Sequence, residues 1–424
     1  MRVRPLRAAR GRLKMTSVET ARPAGHALAV LLLAVSAFVI VTTEFIIVGL
    51  LPGLARDLGV TVATAGWLVT LFGFTVMLFG PLLTGLVSHL DRKALFVVIL
   101  VVFAGSNALA AAAPNIGVLA LARFLPAIAL PVFWGTASET AGVIAGPGRE
   151  ARAVSNVYMG IAGAMVLGIP LGTLAGDAFG WRGTFAGLAA LSLVMAGLLL
   201  LVMPPIVRQP RMRLADQLGI FRKPAFVANL ALSVLVFTAM FTAYTYLADL
   251  LEQVAGIAPG AVGWWLMGFG LVGLVGNWVG GRMVGRDPLR ATFVAAVVLA
   301  AGMAATAPLA TWRPGLAIAL AVWGFANTAL YPICQVRVMG VASHAQALAG
   351  TLNVSMANAG IGLGAIIGAV AISRFGVGSV GWIGAGVAIA AAVAALLVAR
   401  MTKPCCRRAD AINDRDEAVP AIGD

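Results

Sequence analysis

Two ionisable side chains lie deep inside apolar runs of this chain, Glu44 and Arg123. A charge at the centre of a membrane-spanning helix costs about 2.5–3.5 kcal/mol on insertion scales, so such residues mark function or pairing. A carboxyl group shielded from water holds its proton more firmly, which is what a group needs to load and unload a proton near neutral pH. Glu44 stands eight residues before Pro52, and Arg123 eight residues after Asn115. At 1.5 Å per residue, both are roughly 12 Å in from the same end of their helices. Glu139 lies farther along, roughly 24 Å from Arg123 at the same rise; it is either a second proton or substrate contact or a carboxylate at a helix end. Asp177 reads as interfacial, and His26, His89 and His344 as solvated residues of loops or tails.

A second set of residues suits a binding wall. Phe237, Phe241, Tyr244 and Tyr246 fall in one apolar run, Asn327, Tyr331 and Gln335 in another, and Trp134, Asn353 and Asn358 in two more. Aromatic rings with a few polar groups fit an amphipathic organic molecule, although Asn and Gln in membrane helices also bond to neighbouring helices for packing alone. Gly168, Gly172 and Gly176 repeat every fourth residue around Pro170. That spacing permits close helix approach, and the proline bends the helix.

The elements that must position these residues are membrane spans. The chain has 61% hydrophobic and 11% charged residues, with a mean hydropathy of +0.97. A bilayer core needs about 20 apolar residues per crossing. Breaks at Pro, Gly and charge divide the chain into twelve runs, near 27–51, 62–87, 94–113, 116–142, 152–178, 184–203, 226–251, 260–284, 291–311, 315–341, 347–372 and 379–400. A basic break from Pro204 to Pro224 separates them six and six. This predicts a basic tail (1–26), a first half (27–203), a linker (204–225), a second half (226–401) and a second tail (402–424). The first run is too long for a secretory signal.

The net charge of +14 follows the membrane topology. With both termini cytoplasmic, only Arg56, Arg182, Arg313 and Arg374 fall on the other side, as the positive-inside rule requires. Nucleic acid is not an expected partner, since no folded soluble region remains to bind it. Cys334, Cys405 and Cys406 make no disulfide framework, and three scattered histidines build no zinc site. No P-loop Gly-Lys-Ser/Thr appears, so no cofactor is expected and the energy source is an ion gradient. An internal repeat is visible too. Gly66-Trp67 with Phe72-Gly73 matches Gly263-Trp264 with Phe269-Gly270, and the ladder in the fifth run matches Gly360, Gly364 and Gly368 in the eleventh. Two like-oriented halves are a transporter architecture with its site between them.

These residues resemble the major facilitator superfamily, and within it the twelve-helix drug:proton antiporters. Thr43-Glu44-Phe45, Gly49-Leu50-Leu51-Pro52, Asp57-Leu58-Gly59-Val60 and Ala65-Gly66-Trp67-Leu68 are similar to the group's first-helix signature. Gly168-Ile169-Pro170-Leu171-Gly172 with Gly176 and Gly180-Trp181-Arg182 resembles its fifth-helix motif, and Asn353, Asn358, Gly360 and Gly364 its eleventh-helix pattern. The loop before the third helix, Ser88-His89-Leu90-Asp91-Arg92-Lys93, clearly keeps only the final basic pair of the family motif, and the motif at Arg123 continues as Phe124-Leu125-Pro126.

The resemblance implies an all-α polytopic fold of two six-helix halves, in which the helices of Glu44 and Arg123 both line a central cavity and the two residues pair. Proton binding at Glu44 then weakens the pair and drives the inward–outward switch, with Glu139 as a further proton site; the alternative is a static ion pair. It further implies that the kinked fifth helix seals against a helix of the other half, with Asp91, Arg92 and Lys93 helping to gate. The expected activity is efflux of a small amphipathic compound, such as a phenicol, by a non-enzymatic monomer in a bacterial cytoplasmic membrane, with substrate, protons and lipid as partners. Export of a sugar such as arabinose is the alternative within transport, and a non-transporting membrane sensor the alternative outside it.

Overall fold

The computed structural model describes residues 23–87, 90–146, 150–204, 221–283, 287–342 and 346–402. The expectations for residues 1–22, for nearly all of the second tail, for most of the linker, and for His89, His344, Cys405 and Cys406 lie outside the described residues, whereas His26 is half-buried in the first turns of the first helix. Within them the chain is helical, without strands. Thirteen α-helices follow in order: α1 Pro23–Leu58, α2 Val62–Val87, α3 Arg92–Ala111, α4 Ile116–Ala145, α5 Glu150–Gly163, α6 Ile169–Val202, α7 Pro224–Tyr244, α8 Leu247–Gln253, α9 Pro259–Met283, α10 Pro288–Thr306, α11 Arg313–Val341, α12 Gln346–Phe375 and α13 Val380–Thr402. Apolar stretches of this length have only one unstrained solution in hydrocarbon, because a helix satisfies its own backbone.

Eleven apolar stretches are long enough to span a bilayer, and one of them, Asn156–Val202, holds two crossings. Gly180 separates these two with a backbone φ of 74° that only glycine adopts without strain. The result is twelve spans in two six-helix halves, joined across Met203 to Pro224. The fifth span is α5, a π-helical turn at Ala164–Gly168, and the first part of α6. Pro170 has no N–H and its ring displaces the carbonyl four residues back, so the ladder widens before it. The seventh span breaks between Tyr244 and Leu247, separating α7 from α8. Asp91 and Asp287 accept from the backbone N–H three residues on, at 2.9 and 3.0 Å, and so cap the third and ninth spans.

Both sets of repeated glycines have structural counterparts. The ladder Gly168, Gly172, Gly176 lies against Thr42, Ile46 and Leu50 of the first span, and Gly360, Gly364, Gly368 lies against Phe237, Thr238, Thr242 and Tyr246 of the seventh. Each ladder therefore packs inside its own half, while the fifth span meets the eighth through Met165, Val166, Pro170 and Leu174. Contact between the halves falls to the second set. Gly73 meets the backbone of Asn358 and Gly362 on the eleventh span, and Gly270 meets Met165 and Val166 on the fifth. Gly66 accommodates the Tyr246 hydroxyl, and Gly263 accommodates Leu174.

A Cβ on Gly73 would lie 2.6 Å from the Asn358 carbonyl oxygen, whereas Gly268 has open space around it. Gly73→Val is expected to cost roughly 1–3 kcal/mol by overpacking a backbone contact, and Gly268→Val little. Thermal unfolding of the two purified variants in one detergent measures the difference, and equal midpoints would refute the assignment of Gly73 to the seam.

Candidate functional site

A cavity of about 400 Å³ lies between the halves. It is displaced toward the end of the bundle at which the first span begins: its wall uses Leu130 and Trp134 late in the fourth span, Tyr158 to Val166 early in the fifth, and Asn353 to Ile361 early in the eleventh. The opposite end is closed. There Arg56 of the first span pairs with Glu252 of the seventh at 2.6 Å, and Tyr246 donates its hydroxyl proton to the Ala365 carbonyl at 2.8 Å while abutting Gly66. Asp57 accepts from Trp181 Nε1 at 3.0 Å and from Arg182, fastening the start of the sixth span to the end of the first.

Most of the wall is apolar, and among the described residues the only ionisable acid or base of the Asp, Glu, Lys, Arg or His type in it is Glu44. Glu44 is 8% exposed and Arg123 1%, yet the two do not form the carboxylate–guanidinium pair expected of them. Arg123 instead donates from Nη1 to the Thr43 carbonyl and from Nη2 to the Glu44 carbonyl, the latter at 2.6 Å. Its plane covers the Phe72 ring at 4.5 Å. The two N–H groups of a planar fork match two successive carbonyls in a fixed geometry, which the rotatable donors of an ammonium do not impose. Asn107 of the third span adds a second hold, donating to Thr43 Oγ1 at 3.1 Å. The backbone at Glu44 is thus fixed from two neighbouring helices, while its carboxylate is left to the cavity.

Among the expected binding residues, Trp134, Phe237, Tyr331, Gln335, Asn353 and Asn358 reach the wall. Phe241, Tyr244 and Asn327 do not. Phe241 packs on Phe45 and Tyr244, Tyr244 stacks on Phe269 at 5.5 Å, and Asn327 is buried behind the wall. Sequence reasoning missed Tyr158, Asn277 and Thr328, which line the cavity, and Asn107 behind it. A polar residue within an apolar span was the available signal for Asn107 and Asn277, by the same rule that selected Glu44.

Glu139 is not at the cavity. Arg92 donates to its carboxylate at 3.0 Å, so the pair ties the start of the third span to the end of the fourth. Arg92 is buried and Glu139 exposed, and Lys93 is half-buried beside them. Asp91 is engaged as a cap. In the fifth span, Pro170 offers its carbonyl to the surface of Gly263 on the eighth.

The sequence model of the Major Facilitator Superfamily matches residues 33–309 and 230–409. The uncharacterised MFS-type transporter YtbD of Bacillus subtilis is 34% identical over 361 residues, which cover 84% of this chain and 91% of that protein. The inner membrane transport protein YdhP of Escherichia coli O157:H7 is 34% identical over 343 residues, 81% of this chain and 88% of that one. Among solved structures, a bacterial homologue of the human lysosomal transporter Spinster, inward-facing and unoccupied, aligns with a TM-score of 0.68 at 14% identity, over 90% of this chain and 96% of that one. The nucleoside transporter NupG aligns at 0.70 and 14%, over 88% and 98%. At such identities these structures show the fold alone. The chain belongs to the Major Facilitator Superfamily and is a multi-pass membrane transporter.

Because Arg123 holds carbonyls and not the carboxylate, the two obvious variants should separate. Glu44→Gln is expected to keep the wild-type unfolding midpoint, while Arg123→Lys gives up the fixed two-carbonyl fork, with hydrogen bonds from a charged donor worth about 1.5–3 kcal/mol each. Detergent melting curves of both test this; a Glu44→Gln midpoint lowered as far as that of Arg123→Lys would restore the ion pair.

Proposed function

We propose that this member of the superfamily exports a small amphipathic organic compound across the bacterial cytoplasmic membrane, in exchange for protons carried by Glu44. The observation that carries the reading is the lone carboxylate in an otherwise uncharged wall, at a point where the backbone is fixed from two sides. A group that must take up a proton on one side and release it on the other has to meet water in turn from each side, and the seam between the halves is where alternating access provides that. With both termini cytoplasmic, the cavity belongs to the cytoplasmic side and the Arg56–Glu252 pair to the outer side. Switching then requires that pair and the Tyr246–Gly66 contact to part. Arg56 is largely exposed, and an exposed ion pair is worth about 0–1 kcal/mol, so that part of the closure is inexpensive to open.

Protonation of Glu44 would not break an ion pair in this arrangement. It removes the wall's only negative charge, so a bound substrate is held less firmly in the protonated form. Export follows if substrate leaves on the side where the proton arrives. The cavity is complete within one chain, which suits a monomer. A phenicol-type drug fits the apolar wall of Trp134, Met165 and Phe237. A sugar is the second reading, favoured by Asn277, Gln335, Asn353 and Asn358, four amides in one wall, since hydroxyl-rich ligands need paired donors and acceptors.

In a susceptible host expressing the chain, accumulation of a phenicol should fall and a protonophore should restore it. Glu44→Gln should insert normally and abolish the effect. Full protonophore-sensitive export by Glu44→Gln would remove the coupling role.

A further inference from the structure

The half of the wall that faces away from Glu44's own half carries two asparagines with unused acceptors. Asn358 Nδ2 donates to the Val354 carbonyl at 3.1 Å. A carbonyl can only accept, so this bond sets the orientation of the amide and leaves Oδ1 as the other end. That oxygen is buried and has no hydrogen-bond partner. Asn353 donates to Gln335 Oε1 at 2.7 Å, and its own Oδ1 is likewise buried and unpartnered. Both side chains line the cavity, and they are only 5% and 3% exposed. An acceptor out of water and without a donor is a cost that a ligand can relieve.

The charge in the wall has the same requirement. In its deprotonated form Glu44 is negative, and among the described residues no Lys, Arg or His lines the cavity; Arg123 turns Nη1 and Nη2 to backbone carbonyls. The cavity therefore lacks one thing, a positively charged group that also carries N–H bonds. We propose that its ligand is an amphipathic primary or secondary amine, bound as the ammonium, whose N–H groups bridge the Glu44 carboxylate of one half and Asn358 Oδ1 of the other. Its apolar body lies against Trp134, Met165 and Phe237. A quaternary ammonium supplies the charge but no N–H for the amide oxygen. A neutral alcohol supplies a donor but leaves the carboxylate uncompensated. The inference rests on the reading of this cavity as the substrate site.

The test uses the purified full chain in detergent and equilibrium dialysis of two probes, 4-phenylbutylamine and its N,N,N-trimethyl derivative. Wild type is expected to bind the primary amine at least about tenfold more tightly, the size of one hydrogen bond to a charged donor. Asn358→Ala should erase most of that preference by weakening the amine alone; if that variant fails to fold, the near-isosteric Asn358→Leu, which also lacks the amide oxygen, reads the same way. Equal affinities in wild type, or an equal loss of both probes in Asn358→Ala, would overturn the proposal. Absence of amine binding alongside protonophore-sensitive phenicol export would defeat the amine assignment and leave export standing. Absence of both would defeat both readings.

Discussion

Apolar side chains gain little by leaving lipid for one another, so the helices of this protein are held by close backbone approach and a few buried polar bonds. The glycines make the approach possible. In each half the ladder on the fifth or eleventh span brings it against the first or seventh, and the matched glycines of the second and eighth spans bring the halves together. The cavity is what remains where those backbone contacts give way to Trp134, Tyr158, Phe237 and Tyr331.

Buried arginines supply the polar bonds, and each is satisfied differently. Arg123 forks onto two carbonyls, and Arg92 takes a carboxylate. Arg337 has neither a carboxylate nor a fork of carbonyls. It donates to Thr292 Oγ1 at 3.0 Å, Ser233 Oγ at 2.8 Å and the Asn229 carbonyl at 3.2 Å, stitching the tenth span to the seventh and ninth. A guanidinium has five donors, and dipoles on several helices are needed to replace its water. These residues organise each half as a body, so movement concentrates at the seam.

The span count, the two halves and the repeat were legible because each depends on composition or spacing alone. Glu44 was legible because a charge in an apolar run stands out. What a residue faces was not. A helix that is apolar on every side has no polar stripe to say which face is turned inward, so Phe241, Tyr244 and Asn327 looked equivalent to Phe237 and Tyr331. The partner of Arg123 was hidden for another reason: every residue offers a carbonyl, and no side-chain pattern records that one is in use. The same holds for the glycine ladder of the fifth span, whose spacing promises close approach without naming the neighbour.

The matched glycines at the seam have one more consequence. Side chains that interlock must unmesh before two bodies can turn past each other, and each tooth adds to the barrier. Gly73 against Gly362, and Gly270 against the main chain of Met165 and Val166, present bare peptide to bare peptide. At these two points the joint resembles a plain bearing, whereas Tyr246 at Gly66 and Leu174 at Gly263 are the teeth along the same seam. Resistance to turning would then reside in those interlocked side chains and in the Arg56–Glu252 closure, and not in the bare peptide contacts.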